Sequence, residues 1–218
     1  MQRTRAVGVG ASLLLVGSIG LGAALLLRNP PDADAVYEQA LAALEAGRID
    51  EAESTMARLA KLRPPSPLDW GVRARLAIAR GRTDEAIEAL ARIPDEHPLA
   101  SWAWLRAGQL ELRRHRFSAA EAALRRALAT PDAPIEAHRE LIYLFGMQLR
   151  RMEIDEQFTA LSEKIALTPK DIWLWCASRD LVWWNVDEHA PILRKALAAD
   201  PLDRWSRLAL AEDLWRAS

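Results

Sequence analysis

Side chains that could carry out catalysis or bind a metal are few in this chain, and they are scattered. The four histidines do not cluster; they are His97, His115, His138 and His189. The single cysteine, Cys176, can form no intramolecular disulfide, and we expect it to be a small buried residue. No phosphate-binding GxxxxGKS/T loop, no GxGxxG after a strand, no HExxH and no paired-cysteine motif is present. We therefore expect no catalysis, no cofactor and no metal.

Arginines offer a different chemistry, which is recognition. A guanidinium group can hold a carboxylate with two parallel hydrogen bonds, and a nearby tryptophan such as Trp102 can add apolar contact. Arg113 follows Gln109 by four residues, so on a helix the two side chains share one face. Arg106 precedes Gln109 by three and would flank the same surface, and Arg75 lies further upstream on a helix of its own. The pattern indicates either a groove for a carboxylate-bearing peptide or a solvated arginine-rich helix face.

An internal repeat with a period of about 34 residues defines the elements that must position these side chains. The sequence GRIDEA at 47–52 recurs as GRTDEA at 81–86, and again in degraded form as HRFSAA at 115–120. Bulky residues recur at Val36, Trp70, Trp104, His138 and Trp173, small ones at Ala40, Ala74, Gly108 and Ala177, and prolines at Pro64, Pro98, Pro131, Pro169 and Pro201. Independent marks that share one period indicate successive copies of one structural unit. Arg75 and Gln109 hold the same place in two successive copies, so we expect them to be neighbours.

Each copy is predicted to be a pair of helices. Residues 36–46 are apolar at helical spacing and stop at Gly47, where a residue without Cβ suits a tight turn. Asp50 is predicted to cap a second helix that runs to about Leu62 and ends before Pro64. One such hairpin cannot bury its own apolar face, so neighbouring hairpins are expected to stack.

These marks resemble the tetratricopeptide repeat family over about 33–201. The resemblance implies an all-α, right-handed α-solenoid of about five helical hairpins, followed by a C-terminal helix over about 202–217. It also implies a protein or peptide partner held on a concave face that the first helices line. The matching positions here are Tyr37, Leu41, Arg75, Trp102, Leu105, Arg106, Gln109, Arg113, Arg139 and Tyr143.

Repeats four and five depart from the pattern. Repeat four is predicted to hold about three extra residues over 146–152, with Gln157 at the small position. Repeat five has Trp183 and Trp184 at the turn and His189 at the small position. Both repeats are expected to pack more loosely or at a different angle.

The nine tryptophans divide into two groups. Trp70, Trp104 and Trp173 take the bulky position of the repeat, which core packing explains. The others have two interpretations, core packing or an exposed contact surface; they are Trp102, Trp175, Trp183, Trp184, Trp205 and Trp215.

An uncharged run over 6–27 precedes the repeats. As a helix it would be about 33 Å long, enough to cross a bilayer. Arg3 and Arg5 lie before it, so the positive-inside rule places 1–5 in the cytoplasm, with 28–32 as linker and 33–218 outside or in the periplasm. The alternative is cleavage near Ala35 and secretion. Small residues four apart in the run would allow two anchors to pack as a homodimer; the pairs are Gly8 with Ser12 and Ser18 with Gly22.

Charge bears on the class of partner. The net charge is -1, and the first 30 residues hold three arginines and no acid, so the remainder carries 26 basic and 30 acidic side chains, or -4. An acidic body argues against nucleic acid as the partner. The sequence thus predicts a membrane-anchored scaffold that binds protein and has no catalysis. The alternatives are a self-assembly module and a helical enzyme with His138 or Cys176 beside convergent acids.

Overall fold

The computed structural model describes residues 32–180, 186–204, 206–208 and 210–211. In these residues there are ten α-helices with defined bounds and no strand, and 204, 206–208 and 210–211 are helical as well, within the predicted C-terminal helix. The predicted all-α class is therefore confirmed for this part of the chain. The helices are α1 (Ala33–Glu45), α2 (Ile49–Leu59), α3 (Pro67–Ala79), α4 (Thr83–Ala91), α5 (Ala100–Arg113), α6 (Phe117–Leu128), α7 (Ile135–Met147), α8 (Arg151–Lys164), α9 (Pro169–Asp180) and α10 (Val186–Ala199). Each odd-numbered helix packs against the even-numbered helix that follows it. We call them the first and second helices of a repeat.

The chain divides after Pro64 into two compact units. The first unit contains the hairpin of α1 and α2, which are in contact and whose buried side chains include Val36, Ala40, Ala52 and Met56. The second unit contains the four remaining hairpins. Its core follows the contacts of α4 with α5, α6 with α7, and α7 with α9.

The turn inside each of the first four hairpins has one geometry. Its central residue has a positive φ: Gly47 (72°), Gly81 (72°), His115 (57°) and Leu149 (58°). The next residue is always an arginine at the N-cap of the second helix, and its backbone N–H donates to the carbonyl oxygen five residues earlier; these are Arg48, Arg82, Arg116 and Arg150. The prediction that Asp50 is the cap was therefore wrong. It lies in the first turn of α2, where a carboxylate stabilises the helix dipole.

The even spacing of these turns corrects the predicted register of repeat four. Leu149 follows His115 by one full period, the spacing that also separates His115 from Gly81, so the extra residues predicted over 146–152 do not occur. The small position of repeat four is held by the fully buried Ile154, and the prediction of Gln157 there was wrong. Gln157 lies one turn further along α8, at the place of Ala89 in α4.

The start of repeat five also keeps the period. Ser66 caps α3 in a capping box with Asp69, and Pro67 takes the first helical position, where its missing N–H costs nothing. Thr168 and Asp171 form the same reciprocal bonds at the start of α9, three periods later. Ile172 and Cys176, both buried, are thus the counterparts of Trp70 and Ala74. The predicted counterparts, Trp173 and Ala177, were each one residue too late.

First helices of successive repeats approach one another in the second unit. There α5 contacts α7 and α7 contacts α9, whereas no two second helices in the described residues pack extensively against each other. The crossing inside repeat three is close, since a Cβ on Gly108 would lie 2.6 Å from Leu124 Cγ. We call the solvent-facing side of α3, α5, α7 and α9 the first-helix face.

Several predictions fall beyond the described residues. They include the anchor at 6–27 and the side chains of Trp183, Trp184, His189, Trp205 and Trp215. Within the described residues, none of the helices has the length and apolar character needed to cross a bilayer.

Candidate functional site

Two arginines of the first-helix face are exposed and unpaired. Arg75 lies on α3 and Arg113 lies in the last turn of α5. Among the residues that the structure describes, neither guanidinium group has an ion pair or a hydrogen bond. Both are therefore available to a carboxylate from another molecule.

A short hydrogen-bonded chain lies between α5 and α7. Arg106 Nη1 donates to Gln109 Oε1 at 2.9 Å, and Gln109 Nε2 donates to Glu140 Oε1 at 2.8 Å. Arg106, predicted to flank this surface, is thus coupled to Gln109. The amide of Gln109 thereby links α5 to α7 through a hydrogen bond, and it also orients the exposed Arg106.

Arg139 is engaged inside the protein. Its Nε lies 2.7 Å from Asp171 Oδ1 and its Nη2 lies 3.3 Å from Asp171 Oδ2, which joins α7 to α9. Burial raises the pKa of Asp171, but the bonds from Arg139 and Thr168 outweigh it and hold the pKa below its usual value. The same ion pair raises the pKa of Arg139. The guanidinium of Arg139 thus positions the next helix.

The apolar candidates differ in exposure. Leu105 belongs to the core, Trp102 is half-buried against the cluster of Ala103 and Ala107, and Tyr143 on α7 is 50 % exposed. Tyr37 and Leu41 lie half-buried on α1, in the first compact unit. Tyr143 is accordingly the large apolar side chain that this face offers most openly.

A recurring arginine–tryptophan contact was missed by the sequence analysis. The guanidinium carbon of Arg92 lies 5.2 Å from the ring centroid of Trp70, and that of Arg126 lies 3.7 Å from Trp104. Asp95 accepts hydrogen bonds from both Arg126 and Trp104, which lowers its pKa. The signal was present in the sequence, because Arg58, Arg92 and Arg126 are each separated by one repeat period.

Repeat four replaces this contact with a buried polar pair. His138 takes the tryptophan position, and its Nδ1 lies 2.9 Å from Gln157 Oε1, while Nε2 is buried without a hydrogen-bond partner in the described residues. Burial lowers the pKa of His138, and nearby Lys164 lowers it further against the effect of Gln157. The imidazole bonds to an amide and not to a carboxylate, so it lacks the acid partner that a catalytic base would use. In the described part of the chain no three His, Cys, Asp or Glu side chains group to hold a metal.

Comparisons with known proteins agree with this architecture. The sequence model described as tetratricopeptide repeat matches residues 21–67 and 72–134. No curated protein matches the sequence.

Several solved structures share the fold at low sequence identity. The pilF protein of Pseudomonas aeruginosa is 14% identical with a TM-score of 0.63, over 91% of this chain and 94% of that one. The MamA protein is 17% identical with a TM-score of 0.60, over 76% and 90%. A thermophilic TPR protein of Thermus thermophilus is 16% identical with a TM-score of 0.53, over 84% and 100%. At these identities the likeness concerns the fold alone.

Proposed function

Because the chain belongs to the tetratricopeptide repeat family, we propose that it is a scaffold whose first-helix face binds an acidic protein segment without catalysis. Repeats of this family mediate protein–protein contacts. The observation that carries the proposal is the pair of exposed, unpaired guanidinium groups of Arg75 and Arg113. Each can hold a carboxylate with two hydrogen bonds.

The surroundings of the two arginines fit an acidic ligand with some apolar side chains. Arg106 adds a third exposed positive charge on the same face, although residues 31–218 carry a formal charge of -4. Tyr143 supplies exposed aromatic surface at the position of Gln109 in the next repeat. Glu140 accepts a hydrogen bond from Gln109, and Asp171 is paired with Arg139, so these two acids oppose the ligand less than free carboxylates would.

The scaffold is further proposed to be held at the cytoplasmic membrane by 6–27, with 1–5 in the cytoplasm and 33–218 outside or in the periplasm. The uncharged run and the two arginines before it support this arrangement. Cleavage near Ala35 remains the alternative, and a homodimer through the anchor is part of the same proposal.

The test is a charge reversal in the full chain. Arg75→Glu with Arg113→Glu should abolish crosslinking to its partners in native membranes, because losing a charged contact that becomes buried in the complex weakens binding by roughly 2–5 kcal/mol and the new glutamates repel an acidic ligand. Helicity and the thermal midpoint should stay unchanged, since neither side chain has a partner within the described fold.

The matched control reverses two exposed arginines elsewhere, Arg194 on α10 and Arg207. This control should recover the same partners as the wild-type chain. If the Arg75/Arg113 variant recovers them at equal yield, the first-helix face is not the binding surface. If recovery falls equally in both variants, overall charge and not this face governs binding.

A further inference from the structure

Neither the backbone conformation nor burial of the side chain explains why position 149 is a leucine. Its φ of 58° lies in the left-handed region, which costs an L-residue roughly 1–2 kcal/mol and which glycine adopts freely. The same place in the first two repeats is held by Gly47 and Gly81. Its side chain is 59 % exposed. The protein thus carries a large apolar side chain at a strained site where the fold gains nothing from burying it.

Two methionines next to this turn are exposed as well. Met152 is 75 % exposed in the first turn of α8, where the first two repeats have Asp50 and Asp84. Met147, the last residue of α7, is 37 % exposed. Met147, Leu149 and Met152 lie close together in sequence around one tight turn, and we call them the apolar tip. Clustered apolar exposure of this kind marks contact surfaces.

The outer side of α8 continues the tip as a shallow surface depression, largely open to solvent, which we call the groove. The groove has a volume of about 560 Å³ and is lined by Met152, Asp155, Glu156, Thr159, Ala160 and Glu163. These residues recur at helical spacing, so they form one stripe of α8. Ala160 takes the position of Arg92 and Arg126, whose guanidinium groups cover tryptophan rings in repeats two and three. The stripe therefore lies lowest, and leaves the most room for a ligand, where the preceding repeats carry an arginine.

Charge defines what this groove would accept. Glu156 and Glu163 are exposed and have no ion pair among the described residues. They are two helical turns apart, or about 10 Å along the helix. Asp155 is oriented by Trp175, whose Nε1 donates to Oδ1 at 3.0 Å, and by Arg179 at 3.2 Å. The rim is thus negative on both sides of the small residues Thr159 and Ala160.

We propose that the apolar tip and the outer stripe of α8 form a second docking surface, for a helical protein segment that carries large apolar and basic side chains. Its apolar side chains cover Met147, Leu149 and Met152. An arginine or lysine of the segment lies over Ala160, between Glu156 and Glu163. The small residues at the floor allow the backbone of the segment to approach closely.

The negative rim decides against a lipid surface, because anionic headgroups would be repelled by Glu156 and Glu163. This docking surface is separate from the first-helix face, which lies on the odd-numbered helices and would take a ligand of opposite charge. An experiment that contradicts one proposal therefore leaves the other untouched.

The test uses a helical peptide of about 20 residues, with leucines on one side and arginines beside them, and a second peptide in which glutamates replace the arginines. Binding to the full chain in detergent is measured by fluorescence anisotropy. The arginine peptide should bind, and Ala160→Arg should weaken it about tenfold or more, because it places a positive charge in the groove. Leu149→Gly combined with Met152→Asp should do the same by removing the apolar tip. Both variants restore residues that other repeats carry at these positions, so the fold is expected to tolerate them.

The Arg75/Arg113 reversal serves as the control and should leave the arginine peptide bound. Equal binding of the two peptides, or unchanged binding by both groove variants, would overturn the proposal. Self-association of the chain that disappears in the same variants would assign the surface to a second copy instead. Binding to vesicles of anionic lipid that these variants abolish would assign it to the membrane.

Discussion

At the scale of single residues, the burial of His138 in repeat four is expected to make the free energy of unfolding depend on pH. Repeats two and three place a tryptophan at this position with an alanine opposite, Ala89 or Ala123, in the same cluster. Repeat four instead has a smaller ring, that of His138, opposite a larger side chain, that of Gln157. The amide keeps one ring nitrogen bonded while burial disfavours the charged ring, so the pKa of His138 is lowered in the folded protein.

Stability should consequently fall as the medium is acidified through the unfolded-state pKa of histidine, about 6.5. The pKa of His138 is lowered in the folded state, so between that pH and the lower folded-state pKa the unfolded chain binds more protons than the folded chain. By linkage the free energy of unfolding then decreases with falling pH. Urea denaturation at several pH values should show this slope, and His138→Phe should flatten it. His115→Asn, at an exposed turn position that tolerates asparagine, should keep it; an equal loss of slope there would refute the assignment.

Leu149 leads to a second prediction at this scale. Leu149→Gly should raise the free energy of unfolding by about 1 kcal/mol, because glycine adopts a φ of 58° without steric cost. Chemical denaturation measures the change. The reciprocal variant Gly81→Leu, at a φ of 72°, should lower stability by a similar amount. If Leu149→Gly destabilises the protein, the leucine contributes to folding and its exposure needs another explanation.

At the scale of helices, the sequence predicted the hairpins and their period but misplaced the second helix of repeat four and the start of repeat five. The period could be read from 47–52 and 81–86 because glycine marks the turns. His115 and Leu149 adopt the same left-handed conformation without being glycine, so composition does not mark them. Matching Trp173 by size to Trp104 then moved repeat five by one residue, whereas the bonds of Thr168 and Asp171 fix its start.

The candidate site was less predictable than the helices. The sequence places Arg106, Arg113 and Arg139 on first helices, and the structure confirms that placement. It cannot show that Arg139 is engaged, because its partner Asp171 lies 32 residues away on another helix. Nor can it show that Gln109 bonds Glu140 across two helices. Such contacts depend on how the helices stack and on side-chain rotamers, which spacing along the chain does not specify.

The Arg139–Asp171 pair yields a prediction about how α9 is joined to α7. Asp171→Asn should lower the free energy of unfolding by about 2–3 kcal/mol, since it removes the buried carboxylate that lies 2.7 Å from Arg139 and leaves only the exposed Glu136 at 3.5 Å. Arg139 is 29% exposed, so the loss should stay below that of a fully buried pair. A double-mutant cycle with Arg139→Gln in denaturant titrations measures the coupling. Additive effects of the two changes would show that the pair contributes no coupling energy.

At the scale of the molecule, the two proposed docking surfaces, with opposite charge preference, lie on different helix layers of the second compact unit. Arg75 and Arg113 belong to first helices, and Glu156 and Glu163 belong to a second helix. A scaffold of this kind can hold an acidic and a basic segment at once. If the chain is anchored as proposed, the compartment of these partners depends on which side of the membrane the helical body occupies.

The last prediction concerns that location. If 6–27 is an uncleaved anchor with the body outside, protease added to the outer side of an intact cytoplasmic membrane should digest 33–218, while a cytoplasmic marker stays protected. In the proposed arrangement Arg3 and Arg5 would set the orientation through the positive-inside rule, opposed by Arg28 on the far side. Arg3→Glu with Arg5→Glu should therefore protect the body from protease in a substantial fraction of molecules. N-terminal sequencing of the native protein distinguishes the alternative, because a mature form that begins at Val36 would show cleavage. Protection of the wild-type body would mean that the orientation is the reverse of the one proposed.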